Sequence, residues 1–340
     1  MDLQQLNDTA AAIVAEGKGI LAADESDGTI KKRFDSIGIE STEENRRGYR
    51  DLLFTTEGVD DYISGVILFD ETIRQSAADG TPFPKLLESK GVIPGIKVDK
   101  GAKPLALAEG ETITEGLDGL RARLEEYREL GARFTKWRGV ISIGKNIPSE
   151  YCLWTNAHAL ARYAALSQEA GLVPIVEPEV LIDGDHTMAH CHEVSDAVLH
   201  AVFMALHRHH VMLEGMVLKP SMVLPGKDHS AKASADQIAT ATVEVLLRNV
   251  PAAVPTINFL SGGQSPEEAT ANLNAMNKLY PRAPWVLSFS YARALQDPAM
   301  RAWGGRRENV AAAQKAFDQR VKMNSLARAG KWSPELERAA

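Results

Sequence analysis

Eight short apolar runs recur along the chain, each rich in Val, Ile, Leu or Phe and most of them ending in a polar residue. They are GILAAD (19–24), GVILFD (65–70), GIKVD (95–99), FTKWR (134–138), PIVEPE (174–179), GMVLKP (215–220), TINFLS (256–261) and WVLSFS (285–290). Runs of this length, bounded by turn residues, read as buried β-strands. The fourth to seventh begin at 134, 174, 215 and 256, a regular spacing of 40 or 41 residues. Between the runs lie stretches with helical spacing at 113–131, 149–171, 186–210, 234–249 and 265–280. Gly131 and Gly171 mark helix ends, and Ser265-Pro266 marks a start. Eight strand–helix units predict an α/β fold with a parallel sheet closed into a (β/α)8 TIM barrel. Further helices fit at 2–16, 29–37 and 42–55, and 304–330 reads as one long terminal helix. No Pro/Gly/Ser linker divides the chain, so residues 1–340 read as one domain, with 331–340 as a short polar tail.

Composition narrows the class. A hydrophobic content of 44% with 24% charged residues is that of an ordinary globular protein. The formal charge of −7 argues against a nucleic-acid binder, whose footprint would be basic. Two cysteines, Cys152 and Cys191, offer neither a disulfide framework nor a paired CxxC zinc pattern, which fits a reducing, cytoplasmic setting. The N-terminal segment lacks the cationic and apolar regions of a secretory signal, and no run approaches the ~18 apolar residues of a membrane span.

The chemistry stands in the strands themselves. Lys97, Lys136 and Lys219 all fall in apolar runs, and an ammonium is seldom buried without a partner or a task. In a parallel barrel the active site lies at the C-terminal ends of the strands. Asp24, Lys97 with Asp99, Lys136 with Arg138, Glu177 with Glu179, Lys219 and Ser261 all stand at such ends. Side chains two apart on a strand share a face, which pairs Lys136 with Arg138 and Glu177 with Glu179. A lysine held dry beside other cations loses its proton more easily and becomes a nucleophile, with Lys136 and Arg138 as the expected depressors of Lys219. A neutral amine next to carboxylates suits Schiff-base formation with a ketone, and the iminium then serves as an electron sink for C–C cleavage. The glycines of LSGGQS (260–265), ahead of a helix, and Arg293, after the eighth run, predict a phosphate site. Ser26, Arg33 and Lys97 form a candidate second anion site, as for a substrate with phosphate at both ends.

Eleven strings, in order over nearly the whole chain, resemble the class I, Schiff-base-forming fructose-1,6-bisphosphate aldolases. They are GKGILAADES (17–26), STEENRR (41–47), GVILFDET (65–72), PFPKLLESKGVIPGIKVDKG (82–101), FTKWR (134–138), VPIVEPE (173–179), DGDH (183–186), LKPSMVLPG (218–226), FLSGGQS (259–265), FSYARAL (289–295) and AWGG (302–305). The resemblance implies that Lys219 forms the Schiff base and that Glu177 is the general acid/base, with Glu179 beside it. By the same resemblance Asp24 orients the substrate hydroxyl and Lys136 assists the carbinolamine steps. It implies Ser261, Gly262, Ser290 and Arg293 for the ketone-side phosphate, Ser26, Thr29, Lys97 and Arg138 for the aldehyde side, and Arg33 as a further contact. It also implies a sugar-phosphate substrate, no metal or other cofactor, a homotetramer, and no nucleic-acid or membrane partner. Two alternatives stay open: another Schiff-base sugar-phosphate aldolase, or a scaffold that kept the barrel without turnover.

Three departures from the family pattern stand out. Ala292 precedes Arg293 where glycine is common, Thr29 replaces a usual serine, and Asp27 a neutral residue. Animal members end in a longer tail with a terminal tyrosine, whereas no tyrosine follows Tyr291 here. Asp183, Asp185, His186, His190 and His192 have the look of a metal box, but the resemblance implies that their loop holds none. HRHH (207–210) reads as the wet end of a helix, and Trp154, Trp303 and Trp332 as packing residues. No dinucleotide or P-loop glycine motif occurs.

Overall fold

The computed structural model describes residues 3–339; residues 1, 2 and 340 lie outside it, and with them the first position of the helix expected at 2–16 and the last of the expected tail. The strands are β1 (Gly19–Ala23), β2 (Ile63–Leu68), β3 (Ile93–Lys97), β4 (Ala102–Pro104), β5 (Thr112–Thr114), β6 (Phe134–Ile141), β7 (Val173–Val180), β8 (Val217–Leu218), β9 (Thr256–Phe259) and β10 (Val286–Tyr291). The helices are α1 (Leu3–Ile13), α2 (Asp27–Asp35), α3 (Glu43–Phe54), α4 (Asp70–Ile73), α5 (Phe83–Ser89), α6 (Leu120–Glu129), α7 (Glu150–Glu169), α8 (Met188–Arg208), α9 (Ala235–Asn249), α10 (Pro266–Leu279), α11 (Arg293–Trp303), α12 (Val310–Arg328) and α13 (Pro334–Ala339).

Eight strands close a parallel barrel in the order β1-β10-β9-β8-β7-β6-β3-β2, while β4 and β5 form a separate hairpin. Every one of the eight apolar runs supplies one barrel strand. The fold is a (β/α)8 barrel with additional terminal helices. Inside its N-terminal end, Leu6, Ala10 and Ile13 of α1 join Ile20, Ala22, Ile67, Phe134, Val173, Ile175 and Val217 in a dry cluster. Glycine makes this floor possible at one point in particular. A Cβ on Gly95 would stand 2.1 Å from Cε2 of Phe134, its register partner across β3 and β6. A second core lies between barrel and helices.

The sequence reading does not include β4, α4 or α5, and three further segments differ from it. Residues 113 and 114, expected to open a helix, lie in β5 and pair with β4 instead, because Thr112 and Thr114 donate their hydroxyls to carbonyls of Val140 and Arg138 on β6. The 304–330 helix starts only at Val310, and α11 precedes it despite Pro298 in its interior. Burial of Leu295, Ala299, Met300 and Trp303 overrides the breaker. The expected polar tail folds as α13: Glu337 accepts two 2.7 Å bonds from Arg320 and one of 2.9 Å from Trp332.

Candidate active site

Register lines up the strand ends at the barrel's C-terminal mouth. Lys97 is level with Lys136, and Arg138 with Glu177. Lys219 follows β8, and its backbone N–H still donates to the Val176 carbonyl at 2.8 Å, so the ladder fixes its position. A cavity of about 680 Å³ opens there. All fourteen candidate residues line it: Asp24, Ser26, Thr29, Arg33, Lys97, Lys136, Arg138, Glu177, Glu179, Lys219, Ser261, Gly262, Ser290 and Arg293. Strand ends from most of the barrel, together with two helices, thus converge on one space.

Its centre is a buried chain of alternating charge. Lys219 Nζ lies 3.2 Å from Glu177 Oε1, Glu177 Oε2 lies 3.0 Å from Lys136 Nζ, and Lys136 Nζ donates to Asp24 Oδ2 at 3.0 Å. All four side chains are less than a tenth exposed. Burial lowers the pKa of Lys219, and neighbouring Lys136 lowers it further; Glu177 and Asp24 oppose this without reversing it. Burial acts on Lys136 in the same direction, but Asp24, Glu177 and Asp99 outweigh it and raise its pKa. Two similar ammonium groups in one site therefore differ in acidity: Lys219 gives up its proton more readily than Lys136. Burial works against ionisation of both carboxylates, yet Lys136 and Lys219 hold Asp24 down at about 2 and Glu177 below its ordinary value. Glu177 Oε2, although ion-paired, has no aligned hydrogen bond, which leaves a lone pair for a proton.

Arg138 does not act as expected. Its Nε is bonded to Glu179 Oε2, and the cation that depresses Lys219 is Lys136. Around the chain stand the anion-binding candidates. Lys97 Nζ rests 2.7 Å from Asp99 Oδ1, and Ser26 Oγ lies 3.2 Å from Thr29 Oγ1 at the start of α2. Ser290 Oγ is buried without a partner among the described residues. Gly262 and Gly263 have φ of 55° and 84°, conformations that favour glycine, and Arg293 Nη2 lies 3.8 Å from where a Gly263 Cβ would stand. The N-terminus of α10 does not face the mouth: Ser265 and Glu268 form a reciprocal cap, and only Leu260, Ser261 and Gly262 of that loop reach the cavity. The helices that start at the cavity are α2, capped at Ser26, and α11, at Arg293. Ala292 adopts φ −101°, so it needs none of glycine's freedom.

A family model for "Fructose-bisphosphate aldolase class-I" matches residues 5–340. The chain belongs to the class-I fructose-bisphosphate aldolase family. It is 59% identical over 333 residues to a probable fructose-bisphosphate aldolase class 1 of Xylella fastidiosa (strain 9a5c), covering 98% of this chain and 99% of that one. It is 56% identical over 328 residues to fructose-bisphosphate aldolase 4, cytosolic, of Arabidopsis thaliana, covering 96% and 84%. Its structure is similar to that of the Plasmodium falciparum fructose-bisphosphate aldolase, solved in complex with TRAP and a small-molecule inhibitor. The TM-score is 0.95 at 50% identity, covering 97% and 95% of the two chains.

The cavity also contains residues to which the sequence reading gave no role. Glu25, next to Asp24, accepts from Arg33 at 2.5 Å, Arg50 at 2.7 Å and Gln296 at 2.9 Å, and so ties α2, α3 and α11 to the end of β1. Asp99 holds Lys97 and accepts from the backbone N–H of Gly101 and Arg138. Lys32, Asp297 and Arg301 extend the cavity outward. The acidic and histidine-rich loop after β7 is used otherwise: Asp183 pairs with Lys227, and among the described residues no three His, Cys, Asp or Glu are grouped to hold a metal. HRHH does lie at the exposed end of α8. Trp303 packs at 5.4 Å on Tyr49, but Trp154 is 61% exposed and stacks on His158.

Proposed function

We propose that this aldolase reversibly cleaves fructose 1,6-bisphosphate to dihydroxyacetone phosphate and glyceraldehyde 3-phosphate through a Schiff base on Lys219. The observation that carries the assignment of roles is the buried 3.2 Å contact between Lys219 and Glu177, backed by Lys136 and Asp24. At an ordinary lysine pKa only about one amine in a few thousand is neutral at pH 7. A proton passed from Lys219 to Glu177 creates both the nucleophile and the acid that the reaction needs. The amine adds to the substrate carbonyl carbon. Glu177 then protonates the carbinolamine oxygen, which departs as water and leaves an iminium. Lys136, still cationic, stabilises the oxygen while it carries charge. Asp24, ionised at any physiological pH, orients the hydroxyl on the carbon to be released. Glu177, now a carboxylate again, takes that hydroxyl's proton; the C–C bond breaks, and its electron pair enters the iminium to give an enamine. Protonation of the enamine and hydrolysis return the second product and free Lys219.

Borohydride reduction in the presence of substrate tests this reading. An adduct that maps to Lys219 by peptide mass supports it, and a reduced sample with unmodified Lys219 overturns it. Because the nucleophile is a free amine of lowered pKa, adduct formation should speed up as pH rises through that pKa, earlier than an exposed lysine would allow.

Ser261, Gly262, Ser290 and Arg293 form the ketone-side phosphate site in this reading, and Ser26, Thr29, Lys97 and Arg138 the aldehyde side, with Arg33 as a further contact. Lys97 must exchange Asp99 for phosphate. For Lys97→Met we expect KM for the bisphosphate to rise about tenfold to hundredfold, the worth of a charge-assisted hydrogen bond, with a smaller fall in kcat. Steady-state kinetics that showed a loss in kcat with KM unmoved would contradict a binding role.

The chain acts as a homotetramer in the cytoplasm in this reading, as one domain. Support for self-association comes from Tyr151 and Trp154 on α7, Met204 on α8 and Leu247 on α9, all large, apolar and at least 42% exposed on helices that adjoin one another. No helix among the described residues is long and apolar enough to cross a membrane. Light scattering coupled to size exclusion should return about four chain masses, and a monomer mass at micromolar concentration would refute the assembly.

A further inference from the structure

The outer arm of the cavity carries a charge that the reaction does not use. On α11 the residues facing the cavity are Arg293, Asp297, Met300 and Arg301, so one helical stripe reads cation, anion, cation at intervals of four. Arg33 and Lys32 of α2 line the same arm. Asp297 is half-buried, and among the described residues it has no hydrogen bond and no ion pair within contact distance. The nearby cations are oriented elsewhere: Arg33 is bonded to Glu25, and Arg293 reaches toward Gly263. A carboxylate has thus been left in the wall of an anion site without being neutralised by contact.

We propose that Asp297 sets the anion affinity of this arm: its carboxylate opposes a bound phosphate, and it takes up a proton when the anion binds. The proposal rests on the functional reading above only in naming the anion as the substrate's phosphate. A carboxylate facing a dianion several ångströms away repels it by about the energy of a few-fold change in affinity. The dianion in turn makes the carboxylate harder to ionise, so binding and protonation favour each other. The surroundings favour the protonated form. Burial raises the pKa of Asp297 above the ordinary carboxylate value and Glu25 adds to this, while Arg33 on α2 and Arg293 and Arg301 on its own helix pull the other way without cancelling it. Lys32 on α2 adds a further cation to this arm, and Tyr49 on α3 is held protonated by its own burial. Affinity for an anion of constant charge is therefore highest where Asp297 is protonated and falls as pH rises through its pKa.

Sulfate is the suitable probe, because its charge does not change in this range and its binding requires no turnover. Calorimetric titration of the full chain between about pH 4 and about pH 7.5 should show wild-type affinity falling about threefold to tenfold beyond the fall in Asp297→Asn. The Asn variant should bind more tightly at the upper end, and Asp297→Glu should restore the wild-type slope. Superimposed pH profiles for wild type and Asp297→Asn, with both melting at the same temperature, would overturn the proposal. If borohydride trapping fails while the two sulfate profiles diverge, the reaction assignment falls and the role of Asp297 stands.

Discussion

Replacing Lys219 with methionine is expected to lower kcat for fructose 1,6-bisphosphate cleavage by about 10⁴-fold or more, the scale on which loss of a covalent nucleophile acts. Methionine keeps an unbranched chain of similar length in a site that is only 3% exposed, so packing is retained while the amine is lost. Glu177 keeps its ion pair with Lys136, which avoids leaving a solitary buried charge. Substrate should still bind through the phosphate contacts, yet borohydride should leave the variant unmodified. Residual turnover within tenfold of wild type, or an adduct at another lysine, would refute the assignment of Lys219. Absence of turnover in the unaltered chain would instead favour the scaffold alternative, since a scaffold shows none before or after the change.

The second large effect separates attack on the carbonyl from the proton transfers that come after it. In Glu177→Gln the proton carrier is gone, and kcat should fall about 10²- to 10³-fold, as for a lost general acid/base. The amine itself should fare differently. The charge of Glu177 favours the ammonium form of Lys219, so removing it should lower the Lys219 pKa further. Lys136 retains Asp24 as partner and stays charged. The variant should therefore form its Lys219 adduct with borohydride more slowly than wild type at saturating substrate, because carbinolamine dehydration has lost its acid, while the pH at which labelling begins should lie lower than in wild type. A kcat within threefold of wild type would remove Glu177 from the proton path.

The contrast between what the sequence disclosed and what it concealed has a physical basis. Apolar runs announced all eight barrel strands, because a strand buried on both faces must be apolar throughout and a lysine there is conspicuous. Strand-end polar residues then named the cavity lining, since a parallel barrel sends those ends to one mouth. The partnerships were not legible. Glu25 joins Arg33, Arg50 and Gln296 across separations of 8 to 271 residues, and nothing local marks it apart from its neighbour Asp24. The reading of Arg138 as a depressor of Lys219 rested on shared facing, yet Glu179 occupies its guanidinium. A proline hid α11 and with it Asp297, and the polar composition of the last residues concealed the anchor that Arg320 provides for α13.

Gly95 and Phe134 lie beneath this chemistry, and their packing restricts how the chain can diverge. The ring occupies the space that a side chain at 95 would need, so neither position can change size unless the other changes with it. Each also stands two residues before a cavity-lining lysine on its own strand, Lys97 and Lys136, and any backbone shift that relieves a clash at the floor moves an ammonium group at the mouth. Substitutions at this pair should accordingly covary among relatives, and selection on the reaction should prune them although neither residue meets the substrate.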